Sequence, residues 1–298
     1  MAKFKEFRRG YQPWEHEGGG GSSIMGGGGD LHASALDHDF VSTLGGPGAG
    51  PSDPWEGLAE ILDETRYGIE HLDRTSLAVA SWLKKEGAKN ILEVGSGLGH
   101  TTWRLIKEGL KVTAVESSPS LLARTRANAK GAKAEESDFV DLPAGPFDAV
   151  VSMRNAYSRL LPDGQAADML SAVHARLKKG GLFSVAFFNR DALDEDRLNK
   201  VFPSDPLTYK GKRTIFYDQW HGHPDGGDRL VWSPLVMIGD ASIDWVRRSI
   251  PFKYWRTAEV KAALLNAGFE IIGALDAADG KSPASTTTRR VEVRARAR

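Results

Sequence analysis

The sequence predicts an α/β fold built on a doubly wound, mostly parallel sheet, with an antiparallel insert after the fifth strand. Three observations carry this reading. Short apolar runs alternate with amphipathic stretches between residues 54 and 188. A glycine-rich turn, Gly95-Ser96-Gly97-Leu98-Gly99, falls between one such run and the next helical stretch. After Phe188 the alternation gives way to aromatic-rich segments separated by turns. Strands that alternate with helices pair in parallel and are covered on both faces.

Each element follows in order. Leu58, Ile61 and Leu62, then Ile69, Leu72, Leu77, Val79 and Leu83, have the spacing of two amphipathic helices. Residues 90–94 read as a strand ended by glycines, 101–108 as a helix and 111–116 as a second strand. Residues 119–129 read as a helix with Ser118 as N-cap and Pro119 in its first position. A short strand precedes Asp138, and residues 147–152 form a fourth. The spacing predicts a helix over 166–177, stopped by Gly180-Gly181, and a fifth strand over 182–188. Residues 189–253 are read as the antiparallel insert, with strands at 214–217, 229–232 and 245–247. A helix over 257–267 is closed by Gly268, and 269–273 with 290–294 make a terminal hairpin. Residues 1–54 hold glycine clusters at 18–21, 26–29 and 45–50, with little to bury. They are read as a flexible segment preceding one domain over 55–298. An added linker, or a cover over the site that brings in Tyr11, Trp14 and Phe40, are the alternatives.

Composition narrows the function classes. Thirty-nine Lys and Arg cancel 39 Asp and Glu, so no global field gathers nucleic acid or an anionic membrane. The basic clusters at 3–9 and 289–298 are short and terminal, and read as solvated. The absence of cysteine removes disulfides, thiolate metal sites and a cysteine nucleophile. The positively charged start has no apolar stretch behind it, and no run approaches the roughly 20 apolar residues of a membrane span. The expectation is a cytoplasmic protein with no membrane or nucleic-acid partner.

The chemistry centres on Glu93-Val94-Gly95-Ser96-Gly97-Leu98-Gly99. Glycines let the chain turn sharply and let a ligand approach the backbone where no Cβ intervenes. Such a turn alone is weak evidence, but here it lies between a strand and a helix. Glu116, at the next strand's end, is placed where a carboxylate accepts hydrogen bonds from both hydroxyls of an adenosine ribose. Asp138 ends the third strand, where a side chain can meet adenine N6, and Phe139 offers an apolar contact.

At these residues the chain resembles the class I S-adenosylmethionine-dependent methyltransferases, whose acid-x-Gly-x-Gly-x-Gly turn it follows, with Glu93 where Asp is commoner. Glu116 and Asp138-Phe139 match the family's ribose and adenine positions, and 147–151 matches the strand beside the transfer site. Leu177-Lys178-Lys179-Gly180-Gly181 matches its Gly-Gly turn, and 252–270 resembles the last helix of its small-molecule branch. The resemblance spans roughly 65–298. It implies a seven-stranded sheet and S-adenosylmethionine as cofactor, with S-adenosylhomocysteine as product. It also implies a cofactor site drawn from Tyr67, Glu93, Gly95, Ser96, Gly97, Gly99, Glu116, Ser117, Asp138, Phe139 and Met153.

The donor already carries a reactive methyl group, so such an enzyme chiefly aligns the acceptor. Tyr157, His221 and His223 are the candidate bases or positioners. The two histidines would face one side of a strand, but no third metal ligand is evident and no metal is expected. Asn155, Tyr217, Trp220 and Trp232 are the candidate acceptor-binding residues, the tryptophans belonging to an aromatic insert that either packs as a satellite core or closes as a lid. Cysteine-dependent acceptors are set aside, as are base-amino acceptors, whose Asn/Asp-Pro-Pro-aromatic tetrad is replaced by residues 152–157. The acceptor expected is a small molecule or peptide modified at N or O. Likeness to sarcosine-type and amino-sugar enzymes favours N. A dinucleotide oxidoreductase is the first competing class, but His100 stands where its G-x-G-x-x-G fingerprint needs glycine. A catalytically silent cofactor-binding module is the second. The oligomeric state stays open, a homodimer included.

Overall fold

The computed structural model describes residues 52–67, 72–160, 164–224 and 226–298. The glycine-rich segment up to residue 51, with Tyr11, Trp14 and Phe40, and Ile69 lie outside the described residues.

Helices α1 (Leu58–Thr65) and α2 (Leu72–Lys85) lead into strand β1 (Asn90–Val94). There follow α3 (His100–Lys107), β2 (Lys111–Glu116), α4 (Pro119–Asn128), β3 (Lys133–Glu136), β4 (Phe147–Ser152), α5 (Gln165–Arg176) and β5 (Leu177–Phe188). Ser118 caps α4 by accepting from Leu121 N at 3.1 Å, with Pro119 at its start. The insert contributes β6 (Val201–Pro203), β7 (Leu207–Tyr209), β8 (Lys212–Gly222), β9 (Arg229–Trp232), β10 (Leu235–Ile238), β11 (Asp244–Arg247) and β12 (Ile250–Lys253). Helix α6 (Thr257–Asn266) and the hairpin β13 (Phe269–Asp276) and β14 (Arg290–Ala297) complete the chain.

The main sheet has seven strands in the order β13-β14-β5-β4-β1-β2-β3. β1 to β5 pair in parallel, while β14 runs antiparallel to β5 and β13. Because side chains alternate along a strand, neighbours feed opposite layers. Leu92 and Val150 join a core with Met169, Val173, Val260 and Leu264 of α5 and α6. Ile91 and Val151 join one with Val79, Leu83 and Leu105 of α2 and α3. From β1 the chain winds outward to β2 and β3 on one side and to β4 and β5 on the other. Strand order reverses there, and the carboxyl ends of β1 and β4 open a crevice.

The insert forms an antiparallel sheet ordered β11-β10-β8-β9-β12, with β6 and β7 on β8. Its inner face packs Phe216, Val236, Ile250 and Phe252 against Leu58, Ile61 and Leu62 of α1. The structure extends the sequence reading in two places. β6, β7, β10 and β12 have three or four residues each, too few to show a period-two pattern. Residues 177–181 belong to β5 rather than ending a helix. Leu177 is already extended at φ −86 and ψ 150, and Gly180, at φ 74, turns the strand where its register with β4 shifts.

Asp218, fully buried on β8, ties these parts together. It accepts from the Tyr67 hydroxyl and, at 2.8 Å, from Trp232 Nε1. Burial pushes its carboxyl up to about 6, against the pull of those two donors. Asp218→Ala removes the shared acceptor of two buried donors and is expected to lower unfolding stability by about 2–4 kcal/mol. Urea denaturation of the two proteins measures it.

Candidate active site

Between the carboxyl edge of β1, β2 and β4 and the inner face of the insert lies a cavity of about 490 Å³. Gly95 and Gly97 sit on its floor at φ 75 and φ 59, a region that costs other residues a Cβ clash. A Cβ on Gly95 would meet Ala156 Cβ well inside van der Waals contact, whereas one on Gly97 would meet nothing within 4 Å. The β1 turn is therefore packed at its first glycine and open to the cavity at its second.

Glu116, at the end of β2, accepts from Gly97 N at 2.8 Å and from Ser118 N at 3.1 Å. Burial raises its carboxyl above the ordinary 4.5 even so. Asp53 reaches in from the segment before α1. It accepts from Ser118 Oγ at 2.9 Å, Ser120 N at 2.9 Å and Trp55 N at 3.1 Å. Partial burial opposes its ionisation, but these hydrogen bonds hold it below the ordinary carboxylate value. This carboxylate sits at the amino end of α4, where the helix dipole also favours negative charge.

The end of β4 supplies the opposite wall. Arg154 and Asn155 are consecutive non-glycine residues at φ 56 and φ 65. Two left-handed residues in a row cost of order 1 kcal/mol each. A 3₁₀ turn, Ala156–Arg159, follows. Asn155 is 8% exposed, lines the cavity, and its Oδ1 has no hydrogen-bond partner. Arg159 donates to Pro251 O and lies 5.2 Å from the centre of the Phe252 ring. Burial lowers its guanidinium to about 10 while Glu116 opposes the shift. The insert closes the roof with Trp220, Trp232 and Phe252, the two indoles 6.3 Å apart and 24° from parallel. Phe188 and Trp55 complete the apolar walls.

The family model described as "Methyltransferase domain" matches residues 91–181, which hold the glycine turn, Glu116 and the end of β4. Over that stretch the chain is similar to a methyltransferase domain. A glycine/sarcosine N-methyltransferase of Parasynechococcus marenigrum (strain WH8102) is 32% identical over 120 residues, 38% of this chain and 43% of that protein. The chain spans about half the length of the curated relatives it matches. Among solved structures, an S-adenosylmethionine-dependent methyltransferase from Clostridium acetobutylicum superposes with a TM-score of 0.68 at 14% identity, covering 82% of this chain and 98% of the other. An amino pentose methyltransferase from Micromonospora echinaspora gives 0.64 at 20% identity, over 80% and 96%. These two likenesses show the fold.

Within the methyltransferase domain and its insert, the cavity brings together Tyr67, Gly95, Ser96, Gly97, Glu116, Ser117, Phe139, Asn155, Trp220 and Trp232. The other candidates lie elsewhere. Glu93 is buried beneath the turn and accepts from Thr102 Oγ1 at 2.5 Å, and burial pushes it up to about 8. Gly99 starts α3, and a Cβ there would come within 2.7 Å of Thr125 Cα, so its need is close packing. Asp138 is exposed and accepts from Val140 N and Asp141 N, both at 2.8 Å, closing its own turn. Met153 is 4% exposed, and its Sδ accepts from Ser184 Oγ.

Tyr157 is fully buried among Phe187 and Trp255, with ring centres 6.3 and 5.1 Å away. Burial raises its hydroxyl further from ionisation. It does not line the cavity, so the structure places it in the core. His221 pairs through Nε2 with Ser233 Oγ at 2.9 Å, and His223 stands in the turn after β8. Tyr217 alternates with the buried Phe216 and Asp218 and so lies on the outer face of β8. The cavity adds Asp53, Trp55, Arg154, Arg159, Phe188, Phe252 and Arg290. The legible signal for two of these was a pair of arginines directly after an apolar strand.

Gly95→Val is expected to destabilise the fold by about 2–4 kcal/mol, from overpacking and a left-handed φ together. Gly97→Ala should cost only about 1 kcal/mol, the conformational part alone. Thermal unfolding of both variants separates the two roles; equal losses would contradict the assignment.

Proposed function

We propose that the chain catalyses transfer of a methyl group from S-adenosylmethionine to a nitrogen or oxygen atom of a small molecule or peptide. The observation that carries this reading is the position of Glu116, a buried carboxylate held beside an open glycine turn in a cavity roofed by aromatic rings. The residues present fit the cofactor. Glu116 would accept from both ribose hydroxyls, Gly97 leaves backbone open to close approach, and Phe139 and Leu121 offer apolar surface to adenine. When bound, S-adenosylmethionine supplies a methyl group already activated by the sulfonium.

The chain's contribution is then alignment and exclusion of water. The unpartnered Asn155 Oδ1 accepts an N–H or O–H of the acceptor and turns its lone pair toward the transfer point. Trp220, Trp232 and Phe252 keep solvent out of that space. Nitrogen is the favoured atom. The glycine/sarcosine enzyme to which part of the chain is similar is an N-methyltransferase, and a neutral amine needs no base. Residues 55–298 are assigned to the methyltransferase unit and 189–253 to its lid, in a cytoplasmic protein. Among the described residues, no helix is long and apolar enough to cross a membrane.

Calorimetric titration tests the reading. S-adenosylhomocysteine is expected to bind with a micromolar Kd and NADP not to bind; tight NADP binding alone would overturn it. A pH series adds a second check. The ionised carboxylate is the better acceptor, and burial has raised the Glu116 pKa. Affinity should therefore fall on acidification and start falling above the ordinary glutamate range. A flat profile between pH 8 and about pH 5 would exclude Glu116 as the ribose ligand.

A further inference from the structure

Methyl transfer to nitrogen sets a requirement on protons. An aliphatic amine is mostly ammonium at neutral pH, and only its neutral form carries the lone pair the transfer needs. A positive sulfonium nearby lowers the ammonium's hold on that proton, yet the proton still needs an acceptor.

The cavity offers few. Among the described residues, no histidine lines it. Its two carboxylates, Glu116 and Asp53, are held by Gly97 N, Ser118 N, Ser118 Oγ and Ser120 N around the start of α4. Its arginines already carry their protons. Tyr67 is the one phenol described on its wall.

That phenol has a carboxylate behind it. The Tyr67 ring stacks on Phe216 of β8, centres 4.1 Å apart and 10° from parallel, and its hydroxyl donates to Asp218 on the same strand. Trp232 Nε1 holds the other carboxylate oxygen at 2.8 Å. Both donors line the cavity, while Asp218 is fully buried and does not. The layer around them, with Leu58, Leu62, Val236 and Ile250, is apolar, so burial, Tyr67 and Trp232 set the ionisation of Asp218. Burial holds it up at about 6, so it is ionised at neutral pH and takes a proton readily. A phenol that donates its proton still accepts on the same oxygen.

Resting on the function proposed above, we infer that Tyr67 and Asp218 form the proton relay of the transfer. The acceptor's N–H proton passes to the Tyr67 oxygen as the Tyr67 proton passes to Asp218 Oδ2. One N–H and one O–H bond break, two O–H bonds form, and the electron pair stays on nitrogen. Ammonium becomes amine and carboxylate becomes carboxylic acid, so a cation and an anion are neutralised together. The proton returns to solvent by the same route once the product has left.

Calorimetry on the full chain tests the relay with two probes. One is S-adenosylhomocysteine; the other is sinefungin, in which a carbon bearing an amine replaces the methylated sulfur. Whatever Glu116 contributes to the shared ribose cancels in the ratio of the two affinities. The wild type is expected to prefer sinefungin by about tenfold at pH 8 and to lose that preference as pH falls through about 6, where Asp218 takes up its proton. Tyr67→Phe and Asp218→Asn should each cut the preference to about threefold or less and flatten its pH dependence. Far-UV circular dichroism checks folding, and Tyr67→Phe carries the comparison if the Asp218 variant does not fold. A preference independent of pH, or one that survives in the variants, would overturn the relay. So would an equal loss of both ligands in Tyr67→Phe, which would make Tyr67 a contact of the body the ligands share. Absence of S-adenosylhomocysteine binding in the wild type would instead contradict the function on which the relay rests.

Discussion

The carboxylate of Glu116, held between Gly97 N and Ser118 N, is the interaction on which the geometry of the site depends. It joins the turn after β1 to the turn after β2, and Ser118 passes the connection to Asp53 of the segment before α1. The parallel register supports it, since Val94 lies opposite Val115 and Gly95 N donates to Val115 O at 2.9 Å. Two strand ends, one helix start and the entry segment are thus fixed around one acidic group. Hydrogen bonds to a buried charge are roughly twice as strong as neutral ones, and an unpaired partner costs correspondingly more.

Polar groups are concentrated around that edge at a cost the apolar layers offset. Glu93, Asp218 and Arg154 are all shifted toward their neutral forms, burial being the leading cause in each. Glu93 and Asp218 have donors that fix neighbouring elements, Thr102 of α3 for one and Tyr67 with Trp232 for the other. Arg154 has none, and it also sits in strained backbone. The first two are satisfied within the protein, whereas Arg154 is left facing the cavity.

The main sheet was legible because its signals are local. Apolar runs, the glycine turn and the Ser118-Pro119 helix start each depend on a few adjacent residues, and Glu116 follows from strand length alone. The insert was legible only in outline, since strands such as Leu235–Ile238 are fixed by pairing with β8 across it. Tyr157 shows where counting along the chain stops working. Arg154 and Asn155 turn left-handed and a 3₁₀ turn follows, so Asn155 and Arg159 face the cavity while Tyr157 between them enters the core. The arginine cluster was invisible because Arg290 arrives from the last strand, 136 positions after Arg154.

The central claim is that Glu116 converts the glycine turn into a nucleoside site through the ribose hydroxyls. Calorimetry with S-adenosylhomocysteine and its 2′,3′-dideoxy analogue, on the wild type and on Glu116→Gln, tests it as a double cycle. The account predicts that removing the hydroxyls weakens wild-type binding by about tenfold or more and leaves the variant's weaker binding nearly unchanged. Equal binding of both ligands by the wild type, or the same loss in both proteins, would contradict it.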